Sequence, residues 1–175
     1  GLCSVGADAW TVGVISTPAV AYLTGRFRAD AGIVLTASHN SFEYNGIKIF
    51  SADGHKLPDA LEEQIEELVL SHKPFAADCQ GDRIGRVCDK SALAQKEYVS
   101  HLKKTIPESL DGMRIAGDCA NGAAGATAGR LFSELGADAV LLNAQPDGIN
   151  VNAGCGSTHI EGLQEYVKKG GFDAG

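Results

Sequence analysis

The chain has 175 residues, of which 44% are hydrophobic and 21% are charged. This balance is typical of a globular protein with its own apolar core and excludes a disordered tail. The formal net charge of −7 argues against a nucleic-acid partner. No apolar run approaches the ~20 residues of a membrane span, and no secretory signal pattern is present, so no membrane partner is expected.

The first residue and the cysteines indicate what kind of chain this is. The sequence begins at Gly1 and contains one Met, Met113, so we expect a fragment or a processed product. Its five cysteines are odd in number and none has C-x-x-C spacing, which argues against a disulfide framework and against a zinc site. We expect small, buried apolar cysteines in a reducing, cytoplasmic protein.

The first elements alternate between strand and helix. An apolar run at 12–15 predicts a strand, and Thr17 and Pro18 suit the cap and the first position of a following helix. The next run, at 32–37, is apolar without alternation and rich in β-branched residues. Such a run is typical of a strand buried on both faces of a parallel sheet.

A short strand and an amphipathic helix follow. Residues 47–50 form a strand pattern between two turn signals, Asn45-Gly46 and Asp53-Gly54. Pro58 then begins a helix with acidic residues near its positive end. Its predicted apolar stripe consists of Leu61, Ile65, Leu68 and Val69. Residues 71–85 lack clean periodicity, which indicates a loop or a short strand leading to a domain boundary.

The second half repeats the alternation. Strands are predicted at 113–116 and 139–142, and the helix between them ends at Gly136. A capping box at 158–161 predicts a last helix that ends at Gly170 and leads into a further strand. A helix also precedes the first of these strands, with its stripe at Ala94, Tyr98, Leu102 and Ile106. The order of elements predicts an α/β fold with right-handed crossovers.

The strand that ends at Ala37 delivers Ser38, His39 and Asn40 to one loop. In open α/β sheets, ligands bind beyond the carboxyl ends of strands, so this hydroxyl, imidazole and amide are candidate reactive groups. An alternative is a plain turn in which Ser38 and Asn40 bond to nearby backbone. The loop at 118–122 is a weaker phosphate-binding candidate, since it has no P-loop lysine, and glycines that allow close helix packing explain it as well.

Several strings together resemble the α-D-phosphohexomutases. TASHN at 36–40, FEYNGIK at 42–48 and DGHKL at 53–57 are similar to the active-serine segment of that superfamily. Four more strings are similar to its second domain: DCANGA at 118–123, ELGA at 134–137, PDGINVN at 146–152 and CGSTH at 155–159. The resemblance extends essentially from Gly1 to Gly175.

The resemblance implies an architecture. Members of the superfamily have four domains, and this chain would cover most of domain I, at 1–89, and part of domain II, at 90–175. Each part would be an incomplete three-layer α/β/α domain with a mixed, mainly parallel sheet.

The resemblance also implies roles for five side chains. Ser38 would carry a phosphoryl group, Lys48 would stabilise that group as it transfers, and His39 would donate a hydrogen bond or a proton. Asn40 and Asn45 would support the loop. One Mg²⁺ per complete active site would take a phosphoryl oxygen of Ser38 as a ligand. The superfamily's Asp metal ligands are missing from this sequence, so we expect the isolated chain to be inactive.

The spelling of the serine segment narrows the substrate class. NGIKIF at 45–50 followed by KLP at 56–58 favours the members that interconvert glucosamine 6-phosphate and glucosamine 1-phosphate through a bisphosphate. Members that act on glucose or mannose phosphates are the alternative. A non-catalytic sugar-phosphate-binding protein is the alternative of another class. Ser41 stands where the superfamily usually has Pro, and this change could loosen the loop because Pro would fix φ there.

Overall fold

The computed structural model describes residues 1–72 and 79–175. Strands and helices follow in this order: β1 (Ala9–Thr11), α1 (Thr17–Arg26), β2 (Ala31–Thr36), β3 (Gly46–Ser51), α2 (Asp59–Leu70), β4 (Val87–Asp89), α3 (Ser91–Lys104), β5 (Arg114–Asp118), α4 (Gly125–Glu134), β6 (Asp138–Leu142) and α5 (Glu161–Gly170). Over these described ranges, no helix combines the length and the apolar character that crossing a bilayer requires. Part of the segment at 71–85, predicted as a loop or boundary, lies outside the described residues.

The strands form three pairs. β1 pairs with β4 and β5 pairs with β6, both in parallel, whereas β2 and β3 are antiparallel. The predicted α/β class with mixed, mainly parallel sheets is confirmed. The predicted strand at 12–15 is wrong, because the strand lies at Ala9–Thr11 and pairs with Val87–Asp89. This pairing depends on a partner far along the chain, so local periodicity does not reveal it.

The burial predicted for β2 is also wrong. Helix α1 covers one face of the strand, and Gly32 allows the close approach, since a Cβ there would overlap Thr24 Oγ1. The other face carries Ile33 and Leu35, and Leu35 is 69% exposed. The apolar run therefore belongs to an antiparallel pair with one covered face, within the part of the chain that the structure describes.

A small core joins the two halves of the chain. It consists of buried residues of α1 and α3 together with Ile15. At the edge of this core the rings of Tyr22 and His101 stack, with their centroids 3.9 Å apart. An ion pair lies beside them, with Arg26 Nε 2.8 Å from Glu97 Oε2. Helix α3 thus packs on α1, although α3 falls in the predicted second domain. The division at 89/90 stays a prediction.

The helix boundaries confirm some sequence signals and correct others. Gly136 has φ +89° and follows Leu135, the residue that caps α4, as expected of a helix-terminating glycine. The capping box at 158–161 is wrong: α5 begins at Glu161 after Ile160, and no side chain caps its first turn. Helix α2 is confirmed, but its apolar stripe lies largely exposed, with Val69 at 67%.

The last residues make one parallel bridge to β5, at the place where the pattern predicts a further strand. Ala174 bridges Ile115 in parallel, and the Ala116 amide donates to the Ala174 carbonyl at 3.0 Å. The Asp173 amide donates to the Arg114 carbonyl at 2.8 Å. Residue 174 therefore continues the β5–β6 sheet on the free edge of β5.

The cysteines are all unpaired, but only two are buried. Cys119 and Cys155 lie in the interior, Cys3 and Cys79 are partly buried, and Cys88 is exposed. The expectation of five buried cysteines is therefore only partly met.

Candidate active site

The serine loop, residues 37–45, connects β2 to β3. Ser38 has φ +58°, a left-handed conformation that costs energy for a residue with a Cβ. Its amide donates to Thr36 Oγ1 at 2.9 Å, and the Asn40 amide donates to the Ala37 carbonyl at 3.0 Å. These bonds make a tight turn that presents Ser38 at the end of the strand.

The Ser38 side chain is free to react. It is exposed, and its hydroxyl has no hydrogen-bond partner among residues 1–72 and 79–175. The hydrogen bonds expected of a plain turn are therefore made by the Ser38 and Asn40 backbone amides, and the Ser38 hydroxyl takes no part in them. An exposed, unpartnered hydroxyl on a tight turn is what a group that accepts a phosphoryl needs.

The other predicted site residues lie in or beside the same loop. His39, Asn40, Asn45 and Lys48 are all exposed. Lys48 lies on β3 opposite Val34, so it shares a sheet face with Thr36, whose hydroxyl holds the Ser38 amide. Asn45 accepts a hydrogen bond from the Gly46 amide at 3.1 Å, where β3 begins. The fold thus brings all five predicted residues to one end of the β2–β3 pair.

Ser41 makes a local contact that Pro could not make. A hydrogen bond from the Ser41 side chain lowers the pKa of the Glu43 carboxyl, with help from the Glu43 backbone. The Ser41 carbonyl accepts from the Tyr44 amide at 3.1 Å. These bonds close a second turn, between the Ser38 turn and β3.

Asp118 organises a second loop at the end of β5. Its Oδ1 accepts from the Ala120 amide at 2.8 Å and from Asn143 Nδ2 at 3.1 Å, and its Oδ2 accepts from the Gly156 amide at 2.9 Å. Burial by itself raises the pKa of Asp118, but the three hydrogen bonds to the carboxylate outweigh it and lower the pKa. The carboxylate is therefore a structural acceptor for three segments.

The loop at 118–122 does not form a phosphate cradle. The Asn121 amide donates to the Asn143 carbonyl at 2.5 Å, and the Gly122 amide to the Cys119 carbonyl at 2.8 Å. With the Ala120 amide on Asp118, the donors that would face a phosphate are already taken. A Cβ at Gly125 would lie 3.5 Å from the Ala144 carbonyl oxygen, an ordinary van der Waals contact, so the packing there does not require this glycine.

One residue of the second half reaches the serine loop. Asn152 Nδ2 donates to the Asn40 carbonyl at 2.7 Å and to the Ser38 carbonyl at 3.1 Å. Reasoning from the sequence missed this contact. Its only signal was the place of Asn152 in the PDGINVN string, which says nothing about which segment it touches.

The fold and the serine loop agree with a family model. Residues 1–74 match the model described as phosphoglucomutase/phosphomannomutase, alpha/beta/alpha domain I. A solved phosphoglucomutase/phosphomannomutase family protein from Burkholderia thailandensis superposes with a TM-score of 0.72 at 27% identity, covering 97% of this chain and 36% of that one. Over residues 1–74 the chain is therefore similar to domain I of the phosphohexomutase superfamily.

Within this superfamily, the chain is similar to phosphoglucosamine mutases. It is 49% identical over 175 residues to the phosphoglucosamine mutase of Acetivibrio thermocellus and 51% identical over 176 residues to that of Clostridium acetobutylicum. Each alignment covers 100% of this chain and 39% of the relative. The chain thus spans about two fifths of the length of these curated relatives.

Proposed function

We propose that this chain carries the phosphorylated serine of a phosphoglucosamine mutase, which interconverts glucosamine 6-phosphate and glucosamine 1-phosphate. The observation that carries the proposal is the Ser38 hydroxyl, exposed and unpartnered over the described ranges, in a loop spelled as in the superfamily. Over the whole chain, about half of the residues are identical to those of phosphoglucosamine mutases, which supports glucosamine phosphates as the substrates.

In the proposed reaction, the phosphoryl group starts on Ser38 Oγ. The O1 hydroxyl of glucosamine 6-phosphate attacks phosphorus, so that the O1–P bond forms, the Oγ–P bond breaks and the O1 proton leaves to a base. The product is the 1,6-bisphosphate, and Ser38 Oγ regains a proton. The bisphosphate then turns round, Ser38 takes the 6-phosphoryl group, and glucosamine 1-phosphate is released.

The exposed side chains around Ser38 suit this chemistry. Phosphoryl transfer depends mainly on positioning and on neutralising the charge of the transferring oxygens. Lys48 would supply a point charge, and His39 would donate the hydrogen bond or proton that Ser38 Oγ needs as it leaves. Asn40 and Asn45 would keep the loop in shape.

The chain's own residues do not make a complete magnesium site. The phosphorylated Ser38 would offer the kind of hard oxygen that Mg²⁺ prefers. Within residues 1–72 and 79–175, however, no three His, Cys, Asp or Glu side chains gather where they could hold a metal ion. We therefore propose Mg²⁺ as a cofactor of a complete site to which this chain gives one ligand, and we derive no step through it.

The compartment and the wider role are part of the same proposal. Five unpaired thiols suit the reducing cytoplasm. A cytoplasmic glucosamine 1-phosphate supply would feed amino-sugar nucleotides and, through them, peptidoglycan precursors.

Two alternatives have some support. The matching family model is that of the phosphoglucomutases and phosphomannomutases, so glucose or mannose phosphates are candidate substrates. The missing cluster of metal-ligating side chains, over the described ranges, favours a non-catalytic sugar-phosphate-binding role for the chain alone. The ratio of kcat/KM values on three sugar phosphates separates the first alternative from the proposal, and turnover itself separates the second.

The test uses a chimera. The matching 39% of the Clostridium acetobutylicum phosphoglucosamine mutase is replaced by this chain, and turnover is measured with glucosamine, glucose and mannose 6-phosphates. We expect the highest kcat/KM with glucosamine 6-phosphate and loss of activity in a Ser38→Ala chimera that folds normally by circular dichroism. A folded chimera without turnover, or an active Ser38→Ala chimera, would refute the proposal. We expect no turnover by the isolated chain.

A further inference from the structure

The turn that presents Ser38 is held from the far half of the chain by one side chain. Asn152 Nδ2 lies 3.1 Å from the Ser38 carbonyl oxygen and 2.7 Å from the Asn40 carbonyl oxygen. A carboxamide nitrogen has two hydrogens, so Asn152 can donate to both carbonyls at once. These two carbonyls belong to the residues on either side of His39.

Asn152 is itself fixed in place. Its backbone has φ +58°, a conformation that Asn tolerates better than most residues, and its amide donates to the Ala120 carbonyl at 2.9 Å. Gly156 lies close by, where a Cβ would be 3.4 Å from Asn152 Oδ1 and 2.7 Å from the Ala120 Cβ. Asp118 holds the amides of both Ala120 and Gly156.

Within the serine loop, the turn at residues 37–40 is closed by two hydrogen bonds. The Ser38 turn is closed by the Ser38 amide on Thr36 Oγ1 and by the Asn40 amide on the Ala37 carbonyl. Its side chains are exposed, so packing does little to restrain it. The two bonds from Asn152 therefore restrain the Ser38 and Asn40 carbonyls, which accept no other hydrogen bond from the residues that the structure describes.

We propose that Asn152 is a positioning residue, which fixes the Ser38 turn so that Ser38 Oγ stays in a productive orientation. Its importance for catalysis rests on the proposed function, whereas the restraint on the turn does not. Phosphoryl transfer depends on alignment of the attacking and leaving oxygens, so small displacements of Ser38 slow the reaction.

The test measures the mobility of the loop in the 175-residue chain itself. Backbone ¹⁵N relaxation is recorded for Ser38, His39 and Asn40 in the parent and in two variants. Asn152→Gly removes the donor and fits the positive φ without strain, so it isolates the side-chain effect. Asn152→Asp keeps the size but turns a carboxylate oxygen toward two carbonyls. The control is Asn150→Ala, because the Asn150 side chain bonds only within its own loop among the described residues: it donates to the Gln145 carbonyl and accepts from the Asp147 amide.

We expect order parameters of about 0.85 in the parent and in the control, and values below about 0.6 in both Asn152 variants. A loop that is already mobile in the parent, or one that stays rigid in Asn152→Gly, would overturn the proposal. Equal loosening by Asn150→Ala would also overturn it, because disruption of the neighbouring loop would then explain the effect.

A second measurement uses the chimera described above. Asn152→Gly should lower kcat roughly 10- to 100-fold with little change in KM, since misplacement of a reacting group affects the transition state more than ground-state binding. An unchanged kcat would overturn the positioning role. If the unsubstituted chimera has no turnover, the proposed function fails, while the order parameters still decide whether Asn152 holds the turn.

Discussion

The loops that follow β2 and β5 begin with similar backbone conformations but differ in how far their side chains are buried and hydrogen-bonded. Each leaves the carboxyl end of a strand through residues in the left-handed region, Ser38 in the first and Ala120 and Asn121 in the second. In the second loop, a partly buried carboxylate and backbone acceptors take up the amides, and Cys119 is buried. In the first loop, the side chains are exposed and the Ser38 hydroxyl has no partner within the described residues.

The difference shows that a loop carrying a candidate reacting side chain and a loop that stabilises the fold have different requirements. A group that receives a phosphoryl must be reachable, so its loop cannot be stabilised by burying its side chains. The proposed function gives the side chains of the second loop no reacting role, which is consistent with their burial and bonding. Asn152 links the two, since its backbone bonds to Ala120 and its side chain bonds to Ser38 and Asn40. The loop after β5 thereby supports the serine loop, which carries the candidate reacting residue.

The largest expected effect comes from removing the Asp118 carboxylate, which holds the loop after β5. Asp118→Ala leaves the Ala120 and Gly156 amides and the Asn143 side chain without their acceptor, so we expect a loss of about 3 kcal/mol in the free energy of unfolding. Urea denaturation with an unchanged m-value measures it.

The matched control is Asp147→Ala. Asp147 also accepts backbone amides, those of Ile149 and Asn150, but in an exposed loop. We expect a loss of about 1 kcal/mol or less there, because water replaces the lost acceptor. Equal losses in the two variants would mean that the Asp118 loop has no special stabilising role.

A smaller effect should appear on acidification. The pKa of Asp118 is lowered in the folded protein, because its three hydrogen bonds outweigh burial. The stability that this carboxylate contributes is therefore fully present above its unfolded pKa of about 3.9 and is lost as the pH falls through the folded value. Between about pH 5 and pH 2.5, the urea midpoint should fall further in the parent than in Asp118→Asn. Parallel curves would refute the assignment.

The smallest effect concerns the serine loop. Ser38→Gly relieves the left-handed backbone of an exposed residue, so we expect the isolated chain to change by no more than about 0.5 kcal/mol, in the stabilising direction. In the chimera, the same change should abolish turnover. Urea unfolding and a steady-state assay test the two halves of this statement. A marked destabilisation would instead show that the Ser38 side chain stabilises the folded protein.

Much of the local structure could be predicted from the sequence. Helix α3 and its buried residues Ala94 and Tyr98 follow from 3.6-residue spacing, and Gly136 ends α4 as expected. The end of the predicted strand at Ala37 also places Ser38, His39 and Asn40 on one loop. These features depend on residues near one another in the chain, so the sequence pattern contains them.

The errors have a common physical cause. β1 is a strand because Ala9–Thr11 finds Val87–Asp89, and Leu35 is exposed because only one layer of helix covers β2. Both facts depend on where distant elements pack, and neither changes the local hydrophobic pattern. The failed capping box at 158–161 is similar: the spelling was right for a helix start, but α5 begins only at Glu161.

The sequence by itself determined the α/β class and most of the helices, and it singled out Ser38 as the candidate reacting residue, because periodicity and motif spelling are local properties. Only the tertiary structure decided that the amides at 118–122 are already bonded and that Asn152 reaches Ser38 and Asn40. The contact with Asn152 joins residues 112 and 114 positions apart, and such a pairing exists only once both loops have been brought together by folding.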